Sequence, residues 1–270
     1  MKLTGIQPLI DMVALSLQSA FVGEPNGVSL LIISKPETGK TSTVFHFHNL
    51  EFVSYYDEIT AKKIIDEFLP LVKTGQKRTL IIPDLINCVE KQKSTREQFL
   101  SIIKSGIDDT GIVAISTYHK QLQFYKLIEG LRFNIITAVT GANFMKVQRY
   151  LKDTGLLSRF LPFSYDYPVN LVQKVFEMIE GKATNDTVQI PKLILKETPI
   201  PNNPALFKNF EFISTRLGID YGGYGIRAQI GFQRLAKANA LMNKRKEVTK
   251  EDIEKVIELS RWINYGFNPL

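Results

Sequence analysis

Lys40 and Thr41 end a run, Leu30-Leu31-Ile32-Ile33-Ser34-Lys35-Pro36-Glu37-Thr38-Gly39-Lys40-Thr41, whose spacing suits the holding of phosphate. The pattern is G-x-x-x-x-G-K-[ST] with Ser34 in the place of the first glycine. In such a loop the backbone N–H groups point inward at an anion, and the positive end of the following helix adds to the field. Lys40 would neutralise the β- and γ-phosphates of ATP, and Thr41 would offer its hydroxyl to Mg²⁺. The cradle as a whole comprises Ser34, Lys35, Pro36, Glu37, Thr38, Gly39, Lys40, Thr41 and Ser42. The apolar strand before it and the helix pattern after it are the context this motif requires.

Further along, Leu80-Ile81-Ile82-Pro83-Asp84 puts a carboxylate at the tip of a buried strand. A rigid carboxylate there can face the metal of a bound nucleotide; the competing reading is an aspartate that starts a turn. The next residue is Leu85, so no glutamate stands directly beside Asp84 to orient an attacking water. Glu90 and Glu58 are the substitutes within reach in sequence. Asn134 to Asn143 runs a second apolar strand into polar residues, and Thr140 and Asn143 are candidates to touch the γ-phosphate or the water. Arg159, in Gly155-Leu156-Leu157-Ser158-Arg159-Phe160, lies between a helix and a closing strand. Its planar fork matches phosphate oxygens and could serve a neighbouring subunit, or simply end a helix at the surface. Arg227, in Gly225-Ile226-Arg227-Ala228, starts a later helix and is a candidate to close onto the γ-phosphate, or an ordinary exposed helical arginine.

These residues need a scaffold, and the hydrophobic periodicity supplies one. Strands are expected over 28–34, 51–56, 78–84, 132–140 and 161–167, with helices over 8–22, 39–48, 60–72 and 94–105 between them. Near-continuous apolar runs alternating with helices imply a parallel α/β sheet covered on both faces. Residues 111–126 alternate more and read as a hairpin with Tyr118-His119-Lys120-Gln121 at its tip. After a helix over 171–180 the chain turns polar and proline-rich, and then all-helical, over 205–217, 226–243 and 250–265. Thr249-Lys250-Glu251-Asp252 has the form of a capping box.

Bulk properties set the limits. With 270 residues, 44% hydrophobic and 23% charged, the chain can bury a full core and divide in two. A net charge of +7 suits either a polyanionic partner or a mildly basic surface. The single cysteine, Cys88, excludes an internal disulfide framework and fits a reducing cytoplasm. His46, His48 and His119 lack metal-ligand spacing. No apolar run reaches membrane-spanning length, and the first residues have no signal-peptide character.

Taken in chain order, these elements resemble the AAA+ ATPases: Walker A at 34–41, Walker B at 81–84, sensor one at 140–143, arginine finger at Arg159, sensor two at Arg227. The run Leu156-Leu157-Ser158-Arg159-Phe160 and the tail from Ile226 to Asp252 are similar to the minichromosome-maintenance (MCM) replicative helicases. The phosphate loop also resembles that of superfamily-three helicases. The resemblance implies a P-loop AAA+ core over 1–185, a linker and helical lid over 186–270, and ATP and Mg²⁺ as ligands. It further implies a homo-oligomer, hexameric in type, with nucleotide at the subunit interface, acting on single- or double-stranded DNA in replication with a replication protein as a possible partner. The hairpin tip would then be a pore loop. Leu85 keeps open a nucleotide-gated assembly or adaptor with weak hydrolysis, and Tyr118 leaves open a peptide in the pore.

Overall fold

Leu30, Leu31, Ile32 and Ile33 are all fully buried, yet they face opposite ways, because successive side chains of a strand alternate. Leu30 and Ile32 join one apolar cluster; Leu31 and Ile33 join another on the far side. A sheet carrying that strand is therefore covered on both faces. The computed structural model describes residues 5–119, 122–182, 189–266 and 268–269.

The strands are β1 (Leu30–Ser34), β2 (Val53–Tyr55), β3 (Thr79–Ile82), β4 (Val113–His119), β5 (Leu122–Ile128), β6 (Asn134–Thr140), β7 (Leu161–Asp166) and β8 (Asn268–Pro269). Six of them form one parallel sheet in the order β2-β3-β6-β1-β7-β8. The five expected strands are all present, each trimmed at one or both ends. Residues 268–269, which pair with Tyr165 and Asp166, are an addition too short to leave a periodic signal. β4 and β5 form the expected antiparallel hairpin as a separate two-stranded sheet. Its tip residues Lys120 and Gln121 lie outside the described residues.

The core helices are α1 (Gln7–Gln18), α2 (Lys40–Phe45), α3 (Ala61–Lys63), α4 (Leu69–Lys73), α5 (Ile86–Val89), α6 (Lys93–Gly106), α7 (Gly141–Asp153) and α8 (Val169–Ile179). A π-type turn, Ile64–Phe68, joins α3 to α4, so the single helix expected over 60–72 is present in modified form. Thr60 caps it, accepting from the Lys63 N–H. The later helices are α9 (Pro204–Phe207), α10 (Glu211–Tyr221), α11 (Ile226–Met242) and α12 (Lys250–Leu259). The capping box of Thr249 and Asp252 opens α12.

α1 and the later helices share one apolar cluster with the inner face of the sheet, while the 61–73 helical stretch and α6 lie in the other. A buried polar knot ties α1 to the strands: Asn134 Nδ2 donates to the carbonyls of Val28 (2.8 Å) and Ser16 (3.0 Å), and its Oδ1 accepts from Thr79 Oγ1 (2.6 Å). The proline-rich segment is not a free tether. Ile194 exchanges two hydrogen bonds with the buried side chain of Gln18, and Thr198 N donates to the Phe21 carbonyl. The boundary expected at 185/186 falls outside the described residues.

Candidate functional site

β1 delivers Ser34 to a loop that must reverse sharply into α2. Two residues take left-handed backbone there, Glu37 (φ 64°) and Gly39 (φ 82°). Glycine suits the second position because it carries no Cβ to oppose positive φ. Inside the loop Ser34 Oγ and Thr38 Oγ1 are 2.5 Å apart, and Thr38 Oγ1 donates to the Lys35 carbonyl at 2.8 Å. The buried Lys40 ammonium donates to the carbonyls of Lys35 (2.6 Å) and Ser34 (3.2 Å). β7 holds the loop from outside: Tyr165 Oη donates to the Thr38 carbonyl at 2.8 Å, and Asp166 pairs with Lys35 at 2.5 Å. Pro36 and Glu37 are exposed at the turn, and Thr41 and Ser42 occupy the first turn of α2, where no side chain caps the N-terminus. Those first-turn N–H groups can therefore serve an anion.

Asp84 stands at the same edge of the sheet. β6 lies between β1 and β3, pairing Ser34 with Thr140 on one side and Ile82 with Thr137 on the other. Leu85 N donates to the Ala138 carbonyl, carrying that alignment past the end of β3. Asp84 Oδ1 accepts the Ile86 N–H at 3.2 Å, so the residue starts a turn and also presents a half-buried carboxylate. Burial raises its pKa, the Ile86 N–H and Lys40 oppose the rise, and Glu90 adds to it. Burial lowers Lys40 to about 8, with Asp84 opposing. Lys40 and Asp84 therefore sense one another across the carboxyl edge of the sheet, the edge where open α/β sheets bind ligands.

Leu85 is 3% exposed and points into the apolar cluster, away from this edge. Of the two substitute carboxylates, Glu90 is the one coupled to Asp84, whereas Glu58 pairs with Lys91. Thr140 Oγ1 accepts the Asn143 N–H at 3.3 Å and so caps α7, and Asn143 Oδ1 accepts from Lys146 at 3.4 Å. No group of three or more metal-binding side chains occurs among the described residues. One carboxylate, a threonine hydroxyl and an uncapped helix start are a donor set that fits Mg²⁺ carried on phosphate oxygens.

The two arginines lie elsewhere. Arg159 lies two residues before β7, whose other end holds the 34–42 loop, so about a strand length, roughly 16 Å or more, separates them. Arg159 Nη2 pairs with Asp108 Oδ2 at 2.9 Å, and Arg227 Nη2 reaches the same oxygen at 3.2 Å. Arg159 Nη1 also donates to the Gly155 carbonyl (2.7 Å), and Arg227 Nη1 to Ser158 Oγ (3.4 Å). Burial and then the Arg227 charge press the Arg159 pKa down, while Asp108 opposes. A cavity of about 420 Å³ adjoins them, lined also by Asp109 and Arg234, which pair at 2.9 Å. The start of α11 is fixed by Gly225 (φ 79°), where a Cβ would come within 2.0 Å of the Ser214 carbonyl oxygen. Arg227 is thus brought to Arg159, at the amino edge, and not to Lys40.

Sequence reasoning missed Asp108, Arg234 and Tyr165. Asp108 and Tyr165 sit in no motif, Arg234 lies in the helicase-like tail with no role of its own there, and only the fold joins residues 108, 159 and 227.

The AAA lid domain family model matches residues 213–260, which span most of α10, all of α11 and α12. No curated protein matches the sequence. Among the described residues no helix is long and apolar enough to cross a membrane. A six-stranded parallel sheet with helices on both faces, followed by helices that match the AAA lid domain, fits an AAA+ core with a helical lid and supports an AAA+ ATPase.

Proposed function

We propose that the chain binds and hydrolyses ATP as an AAA+ module, with 1–185 as core and 186–270 as linker and lid. In this reading Lys40, the first-turn N–H groups of α2 and the 34–42 loop hold the triphosphate. Thr41 and Asp84 would hold Mg²⁺, which supplies charge neutralisation at the transferring phosphoryl group. Asn143 would contact the γ-phosphate or the attacking water from the start of α7. Arg159 and Arg227 would come from the next protomer in a head-to-tail ring, of hexameric type.

The observation that carries this reading is the separation of the two half-sites. Lys40 and Asp84 share the carboxyl edge of the sheet; Arg159 and Arg227 share the amino edge, a strand length away. One protomer cannot bring its own arginines to its own loop, whereas a heterologous interface joins unlike edges of successive copies. Complementation tests it. A Lys40→Ala chain and an Arg159→Ala chain, each inactive alone, should regain turnover when mixed, because some interfaces then pair an intact loop with an intact arginine. Mixtures as inactive as their components would sink the shared site.

For the polymer handled, the net charge of +7 and the β4–β5 hairpin favour DNA in a replication role of the MCM type, with a replication protein as a further partner. ATPase assays with and without single-stranded DNA decide this, since DNA binding should weaken steeply with salt. A second reading has its own support. Because residue 85 is a leucine, a water-activating carboxylate would have to come from elsewhere, which favours a nucleotide-gated assembly that turns over slowly. ATP-dependent oligomers with negligible phosphate release would select it.

A further inference from the structure

We propose that Asp108 is a built-in counter-anion that occupies the anion position between Arg159 and Arg227, and that a phosphate from a neighbouring subunit must displace it. The inference rests on the reading that these arginines serve the next protomer's nucleotide. It adds an autoinhibitory contact to that reading.

Two guanidinium groups from different parts of the chain converge on one oxygen, Asp108 Oδ2, at 2.9 and 3.2 Å. Arg159 comes from the turn before β7 and Arg227 from the first turn of α11. A carboxylate oxygen between two planar forks occupies the position a phosphate oxygen would take. Both arginines keep a second anchor: the Gly155 carbonyl for Arg159 and Ser158 Oγ for Arg227. They would therefore stay side by side without Asp108, which makes the aspartate a competitor and not the device that positions them. Arg159 Nε is buried with no hydrogen-bond partner, so the pair has donor capacity that Asp108 leaves unused. The adjoining cavity of about 420 Å³ offers room for an entering anion. The backbone carbonyl of Asp108 accepts from Asn26 Nδ2 (2.5 Å) and from Gly111 N (3.1 Å), so the main chain is tethered; apart from the arginines the carboxylate is held, among the described residues, only by a long hydrogen bond from Thr110 N to Oδ1 (3.5 Å).

The probe is pyrophosphate, titrated into the full chain carrying Lys40→Ala so that the phosphate loop does not report. Asp108→Asn added to this background should bind pyrophosphate roughly tenfold tighter, about the worth of one charge-assisted hydrogen bond no longer contested. Adding Arg159→Ala should abolish the gain, and Asp108→Glu, which keeps the charge, should leave the affinity near that of the background. Equal or weaker binding by the Asp108→Asn chain overturns the proposal. If that variant does not fold, the Lys40→Ala chain itself decides by NMR. Pyrophosphate should shift the Arg159 and Arg227 Nε–Hε resonances together with the Asp108 carboxylate carbon, and arginine shifts without the aspartate overturn it. The underlying ATPase reading fails separately, if Lys40→Ala leaves ATP binding intact.

Discussion

The hydroxyl of Tyr165 donates to the backbone carbonyl of Thr38 across 2.8 Å, joining the carboxyl end of β7 to the middle of the 34–42 loop. Tyr165 is fully buried, and its own hydroxyl is pushed up to about 12 by that burial, so it remains a donor at every working pH. Tyr165→Phe removes one neutral hydrogen bond, worth about 1 kcal/mol, and leaves the ring in place beside Phe163. ATP affinity measured by calorimetry should fall about fivefold. Unchanged affinity would mean that the loop keeps its shape without the clasp.

Proton linkage at Lys40 gives a second expectation. In the free chain its pKa is lowered to about 8 from 10.5, so above pH 8 it is largely neutral. A triphosphate favours the ammonium form, so ATP binding should take up a proton near pH 8.5 and take up none near pH 6.5. Calorimetry in two buffers of different ionisation enthalpy reads this directly. The free fold should respond the other way: between 8 and 10.5 the unfolded chain binds more protons at this site, so its contribution to stability rises with pH.

At Leu85 a glutamate would not restore a missing catalyst. The side chain is buried among apolar residues, so Leu85→Glu places a carboxylate where nothing solvates it. The expected loss is of the order of 3 kcal/mol in chemical denaturation, without a gain in turnover. Glu90→Gln should slow hydrolysis roughly a hundredfold with ATP binding retained, if Glu90 is the base.

Gly225→Ala separates the arginine edge from the loop edge. Its methyl would sit 2.0 Å from the Ser214 carbonyl oxygen on a backbone with φ 79°. Destabilisation of about 3 kcal/mol is expected, together with loss of turnover. Nucleotide binding below the melting transition should persist. A variant as stable as the parent would show that α10 and α11 can part without cost.

Much of this could be read from the residues alone, and the divide has physical reasons. β1, β3 and β6 are apolar runs buried on both faces, so periodicity and composition agree on them. The loop around Lys40 announces itself because its chemistry depends on neighbours in sequence. The arginine cluster does not, because Asp108, Arg159 and Arg227 meet only through the docking of α11 against the turn before β7. The direction of Leu85 is also illegible in sequence: a strand that ends in a turn no longer obeys alternation, and the side chain packs in the same apolar cluster as Ile82. The strap of residues 194–200 along α1 has no periodic pattern, being held by the Gln18 side chain and by carbonyls.

Placing donor and acceptor halves on opposite rims of one sheet gives each molecule a front and a back. In the proposed head-to-tail contact a copy with a ruined front would still offer a sound back. Lys40→Ala molecules mixed with the parent chain should therefore silence turnover only in proportion to their own share, since each would still lend its arginines to the neighbour's loop.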